Sequence, residues 1–233
     1  PSVRRALTFS RPRIPIADNF FVSLHPNATK IMKHDRANTP VAYISTYFSP
    51  LGAMTLASDG HAITGLWFDG QKYFARTLPE RHAVCALPVL EEAHAWLDLY
   101  FSGKQPDFMP RLMPTGSPFA QTVWRLLSTI PYGHVVTYKA LAQQVAYLLK
   151  VPHSSAQAIG GAVGRNPISL LIPCHRVVGT NGSLTGYAGG LQRKWRLLQG
   201  EGVDMSPLFI PQTTDASPSR TLNDNPQSSR QLL

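Results

Sequence analysis

The chain has 233 residues, 43% apolar and 15% charged, enough for one large or two small packed domains. Its longest apolar runs, such as Ser169-Leu170-Leu171-Ile172-Pro173, fall far short of the roughly 20 residues that cross a bilayer, and two cysteines, Cys85 and Cys174, exclude a disulfide framework or a four-cysteine zinc site and suit a reducing compartment. The net charge of +9 is concentrated in residues 116–203, where Arg125, Lys139, Lys150, Arg165, Arg176, Arg193, Lys194 and Arg196 face a single acid, Glu201. Such a segment attracts phosphate backbones through counterion release, although a merely solvated basic surface fits the charge alone equally well.

Residues 1–40 lack apolar periodicity and contain Pro12, Pro15, Pro26 and Pro40, which predicts a disordered leader. Its early arginines are also compatible with a transit peptide. Strand-like stretches follow at Val41–Phe48, Ala53–Ala57 and Ala62–Phe68, separated by the turn sequences Ser49-Pro50-Leu51-Gly52 and Asp59-Gly60, so a small antiparallel sheet is expected. Leu90, Ala93, Leu97 and Tyr100 recur at helical spacing before Gly103. A first, α+β domain is thus expected over 41–115, with no catalytic constellation in it and Cys85 as a small buried residue.

A second domain, 116–205, opens on Ser117 as an N-cap and Pro118 at the first helical position, with Phe119, Val123, Leu126, Leu127 and Ile130 on one face. Thr137 caps a helix through Leu141, Val145, Leu148 and Leu149, and Ser154 or Ser155 caps another over about 156–164. This pair has the outline of a helix-turn-helix. The second helix is nearly bare of large side chains, which fits either close approach to a DNA groove or tight packing in a core. From about 206 to 233 the chain is rich in Pro, Ser, Thr, Asn, Asp and Gln and is expected to form a disordered tail.

Between helix and tail lies Asn166-Pro167-Ile168-Ser169-Leu170-Leu171-Ile172-Pro173-Cys174-His175-Arg176-Val177. An apolar run, expected to be extended, delivers Cys174 beside His175 and Arg176, surroundings that favour the nucleophilic thiolate. Pro173-Cys174-His175-Arg176-Val177, with Asn166-Pro167 before it and Gly186-Tyr187-Ala188-Gly189-Gly190-Leu191 and Glu201-Gly202 after it, resembles the O6-alkylguanine-DNA alkyltransferases, also called methylated-DNA-protein-cysteine methyltransferases. The similarity covers about 41–203 and is strongest from 117 onward.

The resemblance implies a ribonuclease-H-like N-terminal domain and a helical C-terminal domain with a helix-turn-helix and the active-site cysteine. It implies a suicidal methyltransferase with no cofactor or metal, acting as a monomer on double-stranded DNA that contains O6-alkylguanine, in the cytoplasm of a bacterium or the nucleus of a eukaryote. Cys174 is then the alkyl acceptor, His175 relays its proton through a water, and Glu201 polarises the histidine, a chain with the logic of a hydrolase triad. Tyr138 matches a tyrosine on the flipped nucleotide and Asn166 an asparagine bracing the turn before the cysteine. Tyr187 and Ala188 lie in the loop over the base, and Arg176 is grouped with the DNA-binding residues. Gln157 stands where many members insert an arginine into the duplex, and the chain has extra length between Tyr138 and Gln157.

Three rival readings compete with this one. A cysteine hydrolase is disfavoured because neighbours on an extended strand point to opposite sides, which makes direct Cys174-His175 proton transfer awkward. A non-catalytic sensor of alkylated DNA is disfavoured because that branch of the family replaces the cysteine by tryptophan. A regulator carrying a zinc domain would need more cysteines than the two present.

Overall fold

The computed structural model describes residues 42–211; the leader expected over 1–40 and the tail beyond 211 lie outside the described residues. Three strands, β1 (Ala42–Ser49), β2 (Gly52–Ser58) and β3 (Ile63–Phe68), form antiparallel pairs, with Ser49 opposite Gly52 at the first hairpin. A short β4 (His82–Val84) adds a parallel edge to β1, so the sheet runs β3-β2-β1-β4 and is mixed rather than wholly antiparallel. Helix α1 (Pro88–Phe101) lies against this sheet and buries Leu90, Ala93, Trp96, Leu97 and Tyr100. The 3.6-residue period of those side chains makes one apolar stripe.

Each of the next three helices starts on a side-chain cap. In α2 (Pro118–Ser128) the Ser117 hydroxyl accepts from Ala120 N–H; in α3 (Tyr138–Leu149) Thr137 accepts from Ala140 N–H; in α4 (Ala156–Gly164) Ser155 accepts from Ala158 N–H. Each cap satisfies a donor that the first helical turn leaves unpaired and contributes about 1 kcal/mol. Helix α2 buries Val123, Trp124 and Leu127, each side chain contributing about 1.5–3 kcal/mol. The Trp124 indole N–H donates to Ala162 O at 3.0 Å and ties α2 to α4.

Small residues in α4 serve both ends that the sequence allowed. Ile159, Ala162 and Val163 are buried against α2 and α3, while Ala156, Gln157 and Ala158 in its first turn are exposed. A Cβ on Gly160 or Gly164 would meet nothing within 4 Å, so the backbone is open on that side.

The segment after α4 is not a strand. Leu170 has φ 68, and Cys174–Arg176 form a single 3-10 turn before β6 (Val177–Val178). That strand pairs in parallel with β5 (Val136–Thr137), and α5 (Leu191–Gly200) follows. Ile168 instead joins the edge of β3: Leu66 N–H donates to Pro167 O at 2.9 Å and Ser169 N–H to Leu66 O at 2.8 Å. One apolar cluster therefore runs from Met54, Leu56 and Phe68 through Leu90 and Leu97 to Val123, Leu127, Ile159, Cys174 and Leu197.

Two further departures concern the ends of the expected domains. Cys85 is half-buried and not part of the core. Residues 206–211, expected to begin the tail, are packed: Leu208 is buried with Val178, Leu184 and Leu198, and Leu184 N–H donates to Phe209 O at 2.8 Å. Among the described residues no helix is long and apolar enough to cross a membrane.

Candidate active site

Cys174 is 4% exposed, at the foot of the 3-10 turn, and its Sγ accepts a hydrogen bond of 3.1 Å from Asn166 Nδ2. The same amide donates to Ile172 O at 2.7 Å, and its Oδ1 accepts from Ile168 N–H at 3.0 Å. Asn166 thus holds the turn closed and offers the sulfur a donor that favours its anion. Burial pushes the Cys174 thiol up, and Asn166 and the Lys194 ammonium pull it only part of the way back. The expectation of a standing thiolate is corrected here: the resting group is a thiol that must lose its proton during the reaction.

His175, the next residue, is fully buried. Its Nε2 is 2.6 Å from Glu201 Oε1 and donates to it, while Nδ1 is buried without a hydrogen-bond partner among the described residues. Burial lowers the His175 pKa against the pull of Glu201, so the ring is neutral near pH 7 with its acceptor nitrogen unengaged. The expected extended geometry for this pair is replaced by the 3-10 turn, and the side-to-side argument against Cys174-His175 proton transfer falls with it.

Glu201 gathers charge from several directions. Arg176 Nε donates to Oε2 at 2.8 Å and Nη2 to Oε1 at 3.0 Å, Gly133 N–H donates to Oε2 at 3.2 Å, and the Tyr100 hydroxyl donates to Oε1 at 2.8 Å. Burial opposes ionisation, yet His175 and Arg176 outweigh it and hold the carboxyl well below the usual carboxylate range. Gly133 adopts φ 75, and a Cβ there would stand 3.0 Å from Glu201 O, so the turn admits glycine on two counts.

Arg176, grouped above with DNA-binding residues, is corrected by this geometry. It is 7% exposed, forked onto Glu201, with Nη1 donating to Ile130 O at 2.6 Å, so its charge is spent on the buried carboxylate rather than presented at the surface. Tyr100 went unnoticed because it lies on α1 in the first domain, where no catalytic group was expected; no sequence signal links it to a residue 101 positions away.

Of the other expected residues, Tyr187 and Tyr138 pack in the same apolar cluster as Cys174. The Tyr138 hydroxyl donates to Thr185 O at 3.1 Å, and a Cβ on Gly186 would come within 2.5 Å of it, so the glycine allows that close approach. Lys194, fully buried, donates to Val177 O and Thr185 O and lies 6.0 Å from the Tyr138 ring. Burial brings its ammonium down to about 8 against the pull of Cys174. It appeared in the sequence only as one of the basic residues. Tyr187 is buried with its ring 6.3 Å from His175, and Ala188 O accepts from Lys72 N–H at 3.1 Å. Gln157 stands apart from this cluster, exposed in the first turn of α4.

The arrangement places a buried thiol next in sequence to a buried histidine already paired with a carboxylate, so a proton moved to that histidine would be compensated. Among the described residues no group of three or more His, Cys, Asp or Glu is placed to hold a metal ion.

Residues 42–112 match the family model of the 6-O-methylguanine DNA methyltransferase ribonuclease-like domain, and residues 118–203 that of the 6-O-methylguanine DNA methyltransferase DNA binding domain. A methylated-DNA-protein-cysteine methyltransferase of Haemophilus influenzae is 40% identical over 164 residues, covering 69% of this chain and 87% of its own. One of Mycobacterium leprae is 41% identical over 154 residues, covering 65% and 87%. The crystal structure of Mycobacterium tuberculosis OGT in complex with DNA superposes with a TM-score of 0.59 at 37% identity, over 68% of this chain and 92% of that one.

Proposed function

The chain belongs to the methylated-DNA-protein-cysteine methyltransferase family, whose members repair DNA by alkyl transfer, and we propose that it acts as a monomer on duplex DNA, taking the alkyl group of O6-alkylguanine onto Cys174 once and irreversibly. The observation that carries this reading is a pair of hydrogen bonds on adjacent residues: Asn166 donates to Cys174 Sγ, and His175 engages Glu201 through Nε2 while Nδ1 has no partner among the described residues. A single chain supplies every one of these groups.

In the proposed step His175 Nδ1 accepts the Cys174 proton, relayed by a water, as Sγ attacks the alkyl carbon. The S–C bond forms and the C–O6 bond breaks; the guanine leaves as an anion and takes up one proton, which balances the one lost by the thiol. Glu201 stays ionised and compensates the imidazolium, as in a hydrolase triad. The product is a thioether, which has no leaving group that water can displace, so the protein does not turn over.

Bringing the lesion to a buried sulfur requires that the base leave the helical stack, which costs a few kcal/mol and least at a damaged pair. We assign the void to Gln157, exposed at the start of α4, and the pocket walls to Tyr138, Tyr187 and Ala188. Glutamine can fill the gap and hydrogen-bond the orphaned partner base but adds no charge.

Intact-protein mass after exposure to a duplex carrying O6-methylguanine tests this. One equivalent of methyl, about 14 Da for the added CH2, should appear on the peptide containing Cys174, and Cys174→Ala should bind the duplex and gain nothing. More than one turnover per molecule, or a label on Cys85, would overturn the reading.

A further inference from the structure

Helix α3 carries an exposed stripe that the site described above does not use. Its buried side chains are Leu141, Ala142, Val145 and Ala146, whereas Lys139, Gln143, Tyr147 and Lys150, at spacings of four, four and three, all stand exposed. Tyr147 is 84% exposed, and the corner after it adds Lys150, Val151 and His153, also exposed. Neither Lys139 nor Lys150 has an acidic partner among the described residues. In sequence no carboxylate occurs between Asp107 and Glu201, and Glu201 is buried under Arg176, so residues 108–200 offer these lysines no acidic partner.

Lys150 is conformationally out of place as well. It ends α3 in the left-handed region, φ 54 and ψ 39, where glycine or asparagine is the favoured residue. A lysine there costs about 1 kcal/mol. Its side chain is thus carried at a corner whose backbone sterically favours glycine or asparagine. The corner also leads directly into α4: Lys150 and His153 precede the exposed Gln157 by seven and four positions.

We propose that the last turn of α3 and the corner after it form a second DNA contact, with Lys150 on a backbone phosphate and the Tyr147 ring against the adjoining sugar, on the strand flanking the groove that α4 enters. The inference rests on the proposed reading that α4 engages duplex DNA. The chemistry fits that occupant: a lysine pairs with a phosphate as a point charge, and tyrosine offers a flat apolar face with a polar tip. The contact anchors the protein on the duplex and takes no part in alkyl transfer.

The test uses the full chain and two variants that leave the fold and the sulfur untouched, Lys150→Asn, which suits the left-handed backbone, and Tyr147→Ala. Affinity for a duplex carrying O6-methylguanine is measured from low to moderate salt, alongside the rate of reaction with the free base O6-benzylguanine. Lys150→Asn should weaken duplex binding several-fold and flatten the log-affinity against log-salt slope by about 0.9, the share of one phosphate. Tyr147→Ala should weaken binding several-fold with the slope unchanged, and neither should alter the free-base rate. An unchanged slope in Lys150→Asn would overturn the contact, as would a wild-type dimer in sedimentation that Tyr147→Ala abolishes, which would assign the face to a second copy of the chain. Failure of the unaltered protein to take methyl from the duplex would instead remove the reading on which the contact rests.

Discussion

Glu201 accepts from His175, Arg176, Tyr100 and Gly133, and in the proposed step its ionised state orients a neutral His175 toward the thiol. Glu201→Gln removes the charge that compensates the imidazolium, so single-turnover transfer should slow by about 100-fold to 10,000-fold, the usual worth of general-base assistance; an unchanged rate constant at saturating DNA would take Glu201 out of the mechanism. Tyr100→Phe removes one donor to the carboxylate and leaves its charge. Loss of a hydrogen bond to a charged group costs about 1.5–3 kcal/mol, so the denaturation midpoint should fall, with a smaller effect on rate than Glu201→Gln. The pH dependence follows from the same group. Glu201 is held below its ordinary value of 4.5, so as pH falls through that value the unfolded chain binds a proton that the folded chain does not, and stability declines. Above that range its contribution is fully present. Denaturant titrations at about pH 6 and about pH 3.5 should show a steeper acid loss in the natural protein than in Glu201→Gln. The residues of this hub were unevenly legible. Cys174, His175 and Glu201 came from the motif, while Tyr100 is recruited by packing between distant segments. Arg176 was misjudged because a sequence does not show which charges are desolvated.

Helices α2, α3 and α4 were read from the sequence with their caps because the information is local: Ser117, Thr137 and Ser155 each cap from within three residues of the donor they serve. Helix α5, which opens on Gly190 without a side-chain cap, was not read, and the rest of what escaped was non-local or short. Strand β4 has three residues and gains its identity from pairing with β1. The Cys174–Arg176 turn replaces an expected strand because Asn166 bonds the backbone of Ile168 and Ile172 and closes the segment on itself. Residues 206–211 look like tail by composition, and the packing of Leu208 and Ile210 and the pairing of Phe209 hold them. At this scale the exposed start of α4 makes its own prediction. If Gln157 fills the space of an extruded base, Gln157→Ala should slow repair of duplex DNA and leave reaction with free O6-benzylguanine nearly unchanged. Gln157→Arg should tighten duplex binding and make it more salt-sensitive, since it adds a cation beside the groove. Equal losses on both substrates would reduce Gln157 to packing.

Across the whole molecule, the sheet and the helical half share one apolar cluster, and the shared elements are those that hold the sulfur. The β3 edge pairs with Ile168, α1 sends Tyr100 to Glu201, and Lys72 N–H in the loop after β3 donates to Ala188 O. Such continuity predicts that the described halves unfold together, since opening one exposes the apolar face of the other and unpairs the backbone between Leu66 and Ser169. Leu97→Ala tests this at a distance from the sulfur. Leu97 is fully buried on α1, and its truncation should cost about 2–5 kcal/mol. Independent halves would show the loss in residues 42–112 alone. With a shared core, hydrogen exchange at Leu66, Val123 and Ser169 should accelerate to the same extent, and thermal melting should keep a single transition at a lower temperature. Retained protection at Val123 in α2, with protection lost at Leu66, would show that the cluster is continuous in space but not in energy, and the support that the sheet gives to the active-site turn would then be local to the β3 edge.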